Sequence, residues 1–162
     1  MNKTKLFVPY TEIIPTTRMI LSPYIYKAVL MTGPDSYQEY FQKRWLEGES
    51  FINCEHDTVF FPGAIEELEK CPRPWCAFHT SINGDFMRGQ MAPLALAKFS
   101  AELIEEYPDI WTEMMGVENP TPKWMWCDAW LQKCIKQRCH QHYPPVLNAK
   151  PNIVQEHTHE ID

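Results

Sequence analysis

The chain has 162 residues and a formal net charge of -6, with 44% hydrophobic, 22% charged and 13% aromatic residues. That length suits one core rather than two, because domains usually run about 100–150 residues. The negative balance excludes a protein that holds nucleic acid mainly by charge, and the aromatic content excludes a disordered chain.

No apolar run approaches the roughly 18 residues needed to span a bilayer. The opening MNKTKLFVPYTE lacks the apolar stretch of a cleaved secretory signal, so a cytoplasmic protein is expected. Fourteen prolines, with six each of Cys, His and Trp, give this short chain many loop-formers and many possible ligands.

In chain order, residues 5–9 (KLFVP) form an apolar run stopped by proline, the pattern of a first buried strand. Residues 10–17 read as a loop leading into a short helix. A second strand is predicted at 27–31, closed by the turn signal Thr32-Gly33-Pro34-Asp35. A helix follows with Asp35 or Ser36 as N-cap. Tyr37, Tyr40, Phe41 and Trp45 recur at three- and four-residue spacing until Gly48 stops them.

A strand at 50–54 runs straight into Glu55-His56-Asp57. The turn Phe60-Phe61-Pro62-Gly63 precedes a helix over 64–70, with Glu66, Glu67 and Glu69 on its wet side. Residues 75–80 read as a strand, and 81–89, polar and containing glycine, as a mobile loop. Residues 94–96 are apolar, and 100–107 form an acidic helix ended by Pro108. The proline-rich 119–122 precedes a helix over 125–138. A last strand is expected at 140–146, and the tail from about 147 carries no clear pattern. Strands alternating with helices predict a single α/β domain over 1–162, Rossmann-like, with a mostly parallel central sheet flanked by helices.

The cysteines are Cys54, Cys71, Cys76, Cys127, Cys134 and Cys139, and two pairs share a C-x4-C spacing. His140 and His142 follow the second pair. Zinc, disulfides and buried structural thiols are all compatible with the count. Buried thiols are the favoured reading, because Cys54 ends an apolar run and Cys127 and Cys134 fall inside a helical pattern.

In open α/β sheets, ligands bind beyond the carboxyl ends of the strands. A strand end there puts Glu55 and Asp57, two residues apart, on one side of the backbone. Hard carboxylate oxygens at such an edge suit Mg²⁺ or Mn²⁺ holding a diphosphate. A plain solvated turn is the alternative.

The segments F-I-N-C-E-H-D (51–57), P-G-A-I-E-E-L (62–68), C-P-R-P-W-C-A-F (71–78) and K-F-S-A-E-L (98–103) carry a co-linear likeness. Trp126 with Asp128, H-Q-H-Y-P-P-V (140–146) and V-P-Y (8–10) extend it over most of the chain. Together they resemble short glycosyltransferase-like proteins of phage and bacterial genomes, which are similar to the GT-A class of nucleotide-sugar transferases. The sequence departs from that pattern in two places. The acidic motif is E-H-D rather than D-x-D, and Leu94-Ala95-Leu96-Ala97 stands where relatives carry a Gly-Cys-Thr run.

The resemblance implies a compact GT-A-like domain and a metal-dependent transfer of sugar from a nucleotide-diphospho-sugar, a UDP-sugar foremost, to a hydroxyl. It makes Asp57 a ligand of Mn²⁺ or Mg²⁺, with Glu55 as its acidic partner and His142, then His140, as late ligands. Pro9, Tyr10, Thr11, Arg18 and His56 would hold the nucleotide sugar, with Tyr10 stacking on the base and Arg18 near the phosphates. Asp128 would be the base that takes the acceptor proton. Trp75, His79, Trp124 and Trp126 would lie on the acceptor side, where flat rings can stack on a sugar; core packing is the competing use of these tryptophans.

The phage likeness makes a hydroxymethylated pyrimidine in DNA the first acceptor to consider, in the cytoplasm of a bacterial host. Lys3, Lys5, Arg18, Lys27, Lys43 and Arg44 form only a loose basic group. His79 and Asp85 have a weaker claim on the acceptor, and His157 and His159 lie in an acidic tail. Two rival readings are a non-catalytic, zinc-stabilised binding module built on the C-x4-C pairs with their histidines, and a degenerate fold that binds a sugar nucleotide without turnover.

Overall fold

A computed structural model describes residues 4–82, 85–86, 94–117 and 127–148. Its elements in order are β1 (Lys5–Tyr10), α1 (Pro15–Leu21), β2 (Lys27–Leu30), α2 (Ser36–Glu47), β3 (Phe51–Cys54), β4 (Thr58–Val59) and α3 (Ala64–Lys70). There follow β5 (Trp75–Ile82), β6 (Asp85–Phe86), β7 (Leu96–Phe99), α4 (Ala101–Glu106), α5 (Ile110–Met115), α6 (Cys127–Cys134) and β8 (His140–Asn148).

Local chemistry sets many of these boundaries. Gly48 closes α2 in the left-handed conformation at φ 69°, which a residue with a Cβ adopts only with strain. The Ser100 side chain accepts from the Leu103 amide and caps α4. In α3, Ala64, Ile65 and Leu68 are buried, the spacing of one helical face, while Glu66 is exposed.

The sheet runs β2-β1-β3-β7-β5-β8-β4, with β6 paired to β5. Pairings β1–β2, β1–β3 and β5–β8 are parallel; β3–β7, β5–β7, β4–β8 and β5–β6 are antiparallel. The sheet is therefore mixed α/β, and the expectation of a mostly parallel sheet is corrected. The cause is β7, which inserts between β3 and β5 and runs against both. Strands β1, β2, β3, β5 and β8 still point one way, so their carboxyl ends share an edge.

Side chains alternate between two layers, as the pleat requires. Phe51, Trp75, Ala77, Ala97 and Phe99 face a core built with Tyr40, Phe41 and Trp45 of α2, Leu103 of α4, Trp111 of α5 and Leu131 of α6. Ile52, Cys54, Cys76, Phe78 and Leu96 face the other core, with Leu21 of α1 and Ala64, Ile65 and Leu68 of α3. Phe41 stacks on Trp111 at 4.8 Å between centroids. Helices on both sides explain why the central strands read as continuous apolar runs.

Part of the 81–89 segment expected as a mobile loop is strand: Ser81 and Ile82 end β5 and pair with Phe86 and Asp85 of β6. Helix α5 occupies residues for which no helix is predicted, although Ile110, Trp111 and Met114 make its buried stripe. All six cysteines are free thiols, which removes the disulfide alternative here, and Cys54, Cys71, Cys76 and Cys127 are buried as expected.

Candidate functional site

Strand β3 is buried at every position and carries the chain to the shared carboxyl edge. The Glu55 amide still donates to Ala95 O at 2.8 Å, extending the β3–β7 ladder by one residue. The chain then turns, with Thr58 N donating to Glu55 O at 3.2 Å. Thr58 Oγ1 donates to Ala95 O, and Thr17 Oγ1 of α1 donates to Thr58 O. Residues 58–59 pair with 147–148, so the acidic turn is flanked by the ends of β3 and β8 and by the start of β7.

The turn's three polar side chains have different surroundings. Glu55 is half-buried on the α2 side, where Tyr37 OH donates to its Oε1 at 2.6 Å. Its carboxyl is pushed up to about 7 from an ordinary 4.5, first by burial and then by the charge of Asp57; the Tyr37 bond opposes this, and the charge of Asp128 adds to it. Asp57 is buried at 6% exposure. His56 accepts the Thr11 amide on Nδ1 at 3.2 Å, so in the neutral ring the proton sits on Nε2, which faces Asp57 Oδ2 at 3.9 Å. The His56 carbonyl accepts from Ile14 N, tying the β1–α1 loop to the turn.

Asp128, in the first turn of α6, is half-buried and its carboxyl is raised by burial against the Ala129 amide bond. Its field at Glu55 brings the base candidate to the same pole of the sheet as the acidic turn. Beneath them, buried Asn53 accepts from Tyr40 OH at 2.8 Å and donates to Leu94 O at 2.6 Å. Sequence reading passed over Tyr37, Tyr40 and Asn53 as site-supporting groups. Tyr37 and Tyr40 registered only as helical core, and nothing in the pattern tells an aromatic from its hydroxyl.

Of the nucleotide-sugar candidates, Tyr10 ends β1 half-buried, and exposed Thr11 touches His56 directly. Pro9 is buried within β1, and Arg18 is exposed in the last turn of α1. On the acceptor side Trp75 needs correction. It is 2% exposed and belongs to the α2–α4–α5 core, so no sugar can stack on it. His79 is also buried, its Nε2 bonded to Tyr143 OH at 2.8 Å. Trp124, Trp126, His157 and His159 lie outside the described residues, as does the side chain of Asp85.

His140 and His142 do not join Asp57. Among the described residues, the one trio of metal-ligating types whose donor atoms all lie within 4.8 Å is Cys71, His140 and His142. The register explains this: His140 and His142 pair with Cys76 and Phe78, at the start of β8, whereas Thr58 pairs with Asn148 at its end. Six residues of extended strand span about 20 Å. Of the basic group, Lys5 pairs with Glu49, and Arg44 is buried over the Phe7 ring and paired with Glu47.

No protein-family profile matches the chain, and no curated protein matches it in sequence. Among solved structures, the chain is similar to the crystal structure of a glycosyltransferase involved in the glycosylation of the major capsid of PBCV-1. The TM-score is 0.52 at 9% identity, over 99% of this chain and 100% of that one. The fold resembles that of a glycosyltransferase. At this identity the likeness is one of architecture, and it spans the whole domain. No helix among the described residues is long and apolar enough to cross a membrane.

Proposed function

We propose that the chain is a metal-dependent glycosyltransferase that moves a sugar from a nucleotide-diphospho-sugar to a hydroxyl. The observation that carries this reading is the gathering of Glu55, Asp57 and Asp128 at the carboxyl edge, beside the β1–α1 loop, in a fold similar to a glycosyltransferase. The donor set fits a hard divalent cation. It is carboxylate oxygen, and the burial and mutual repulsion that raise Glu55 are what such a cation would offset.

Asp57 and Glu55 would hold Mn²⁺ or Mg²⁺. That ion supplies Lewis-acid stabilisation of the charge that develops on the departing diphosphate. His56 and the Thr11 backbone fix the loop on which the nucleotide lies, with Tyr10 at its rim. As the bond from the anomeric carbon to the diphosphate oxygen breaks and the bond to the acceptor oxygen forms, Asp128 takes the acceptor's proton. The nucleoside diphosphate leaves with the bond's electron pair.

Calorimetry with UDP in the presence of Mn²⁺ or Mg²⁺ tests the first part, and the absence of metal-dependent binding across a panel of nucleoside diphosphates would refute it. Asp57→Asn is expected to fold normally and to lose that binding. For the acceptor, incubation with hydroxymethylpyrimidine DNA and a nucleotide-sugar panel, followed by mass spectrometry of the nucleosides, reports transfer to a base directly.

A further inference from the structure

The acidic turn leaves unused a second constellation, Cys71 at the end of α3 with His140 and His142 at the start of β8. Each residue can offer one ligand atom, and the three atoms lie within 4.8 Å of one another. Helix α3 and strand β8, remote in sequence, meet here beside β5, whose Cys76 pairs with His140 in register.

His142 supplies an independent sign of a ligand. Its side chain is 10% exposed, and Nδ1 lies 2.7 Å from Glu67 Oε1. A carboxylate cannot donate, so Nδ1 carries the proton and donates to Glu67. The neutral ring then keeps a bare lone pair on Nε2. That nitrogen is buried and has no hydrogen-bond partner among the described residues. Burying an imidazole nitrogen this way costs free energy that a metal bond would return. Carboxylate–histidine pairing of this kind is what orients histidines that ligate zinc.

We propose that Cys71 Sγ, His140 and His142 Nε2 bind a zinc ion that staples α3 to β8, with Glu67 as the residue that positions His142. One thiolate and two imidazoles select a borderline or soft cation over the Mg²⁺ or Mn²⁺ suited to the carboxylates. Binding releases the Cys71 thiol proton to solvent. The site is separate from the acidic turn and does not depend on the transferase reading. Cys134 takes no part, since it packs with α6 against the other core.

The test is zinc content of the full chain, expressed with zinc and passed over a weak chelator, together with the Co²⁺ spectrum of the same protein. One zinc per chain and a thiolate-to-cobalt charge-transfer band are expected. Cys71→Ser should remove both, while Asp57→Asn and Cys134→Ala should keep them. Glu67 is only half-buried and Gln keeps its shape, so Glu67→Gln should fold normally and weaken Zn²⁺ binding about 10- to 100-fold. A zinc-free wild type without the cobalt band would overturn the proposal. Full zinc retained in Cys71→Ser, a Cys71–Cys76 disulfide in the purified protein, or unchanged affinity in Glu67→Gln would each overturn it too.

Discussion

Replacing Glu55 by Gln should make the metal-free protein more stable, and only above about pH 5. The wild-type carboxyl titrates near 7 in the folded chain against 4.5 when exposed. Below pH 4.5 both states hold the proton, so Glu55 contributes nothing. Between 4.5 and 7 the unfolded chain gives up the proton while the folded chain retains it. Stability therefore falls as pH rises through that window, and the loss is complete above 7. At 1.36 kcal/mol per unit the ceiling is about 3 kcal/mol, and water reaching the half-buried carboxyl reduces the expected value to about 1–2 kcal/mol. The Gln carbonyl can still accept from Tyr37 OH, so the swap removes charge without removing that bond. Urea unfolding of both proteins in EDTA at pH 5.0 and 8.5 measures the effect, and other titrating groups cancel in the difference. A gain of about 2–6 °C in Tm at pH 8.5 corresponds to the same energy. Mn²⁺ should narrow the gap by stabilising the wild type. A Gln variant no more stable than wild type at pH 8.5 would refute the electrostatic account of the acidic turn.

Two further substitutions, at Asp128 and Gly48, have defined outcomes. Asp128→Asn should lower the turnover of an active transferase by at least about 100-fold, the usual contribution of a positioned base. By removing a charge it should also bring the Glu55 titration down, which an NMR titration of the side-chain carboxyl would detect. Gly48→Ala should destabilise the chain by about 1 kcal/mol through its positive φ, since no atom lies within 4 Å of the new Cβ to add a clash; thermal unfolding would register this.

Features governed by short-range chemistry were legible in the sequence. Helix α3 spans the predicted 64–70, α2 ends at Gly48 as its turn chemistry dictates, and the acidic triplet sits at a strand end. What escaped depended on partners distant in the chain. Residues 94–96 read as apolar, but the strand they lead into, Leu96–Phe99, inserts against β3 and β5 as a matter of pairing. The parallel-sheet expectation failed there. The resemblance puts His140 and His142 at the acidic turn, whereas the β5–β8 register carries them to Cys71. Trp75 has the face a sugar would stack on, and the strand's alternation turns that face inward.

Asn53 has a consequence for the precision of the sheet's carboxyl edge. A one-residue slip of β7 against β3 would carry Leu96 and Phe99 to the opposite layers of the sheet. The same slip would take the Leu94 carbonyl away from the buried Asn53 amide, at a further cost of about 1–3 kcal/mol. This single polar side chain thus acts as a registry key. It indexes β7 against β3, and through the Glu55–Ala95 bond it sets the height at which the carboxylates meet a ligand.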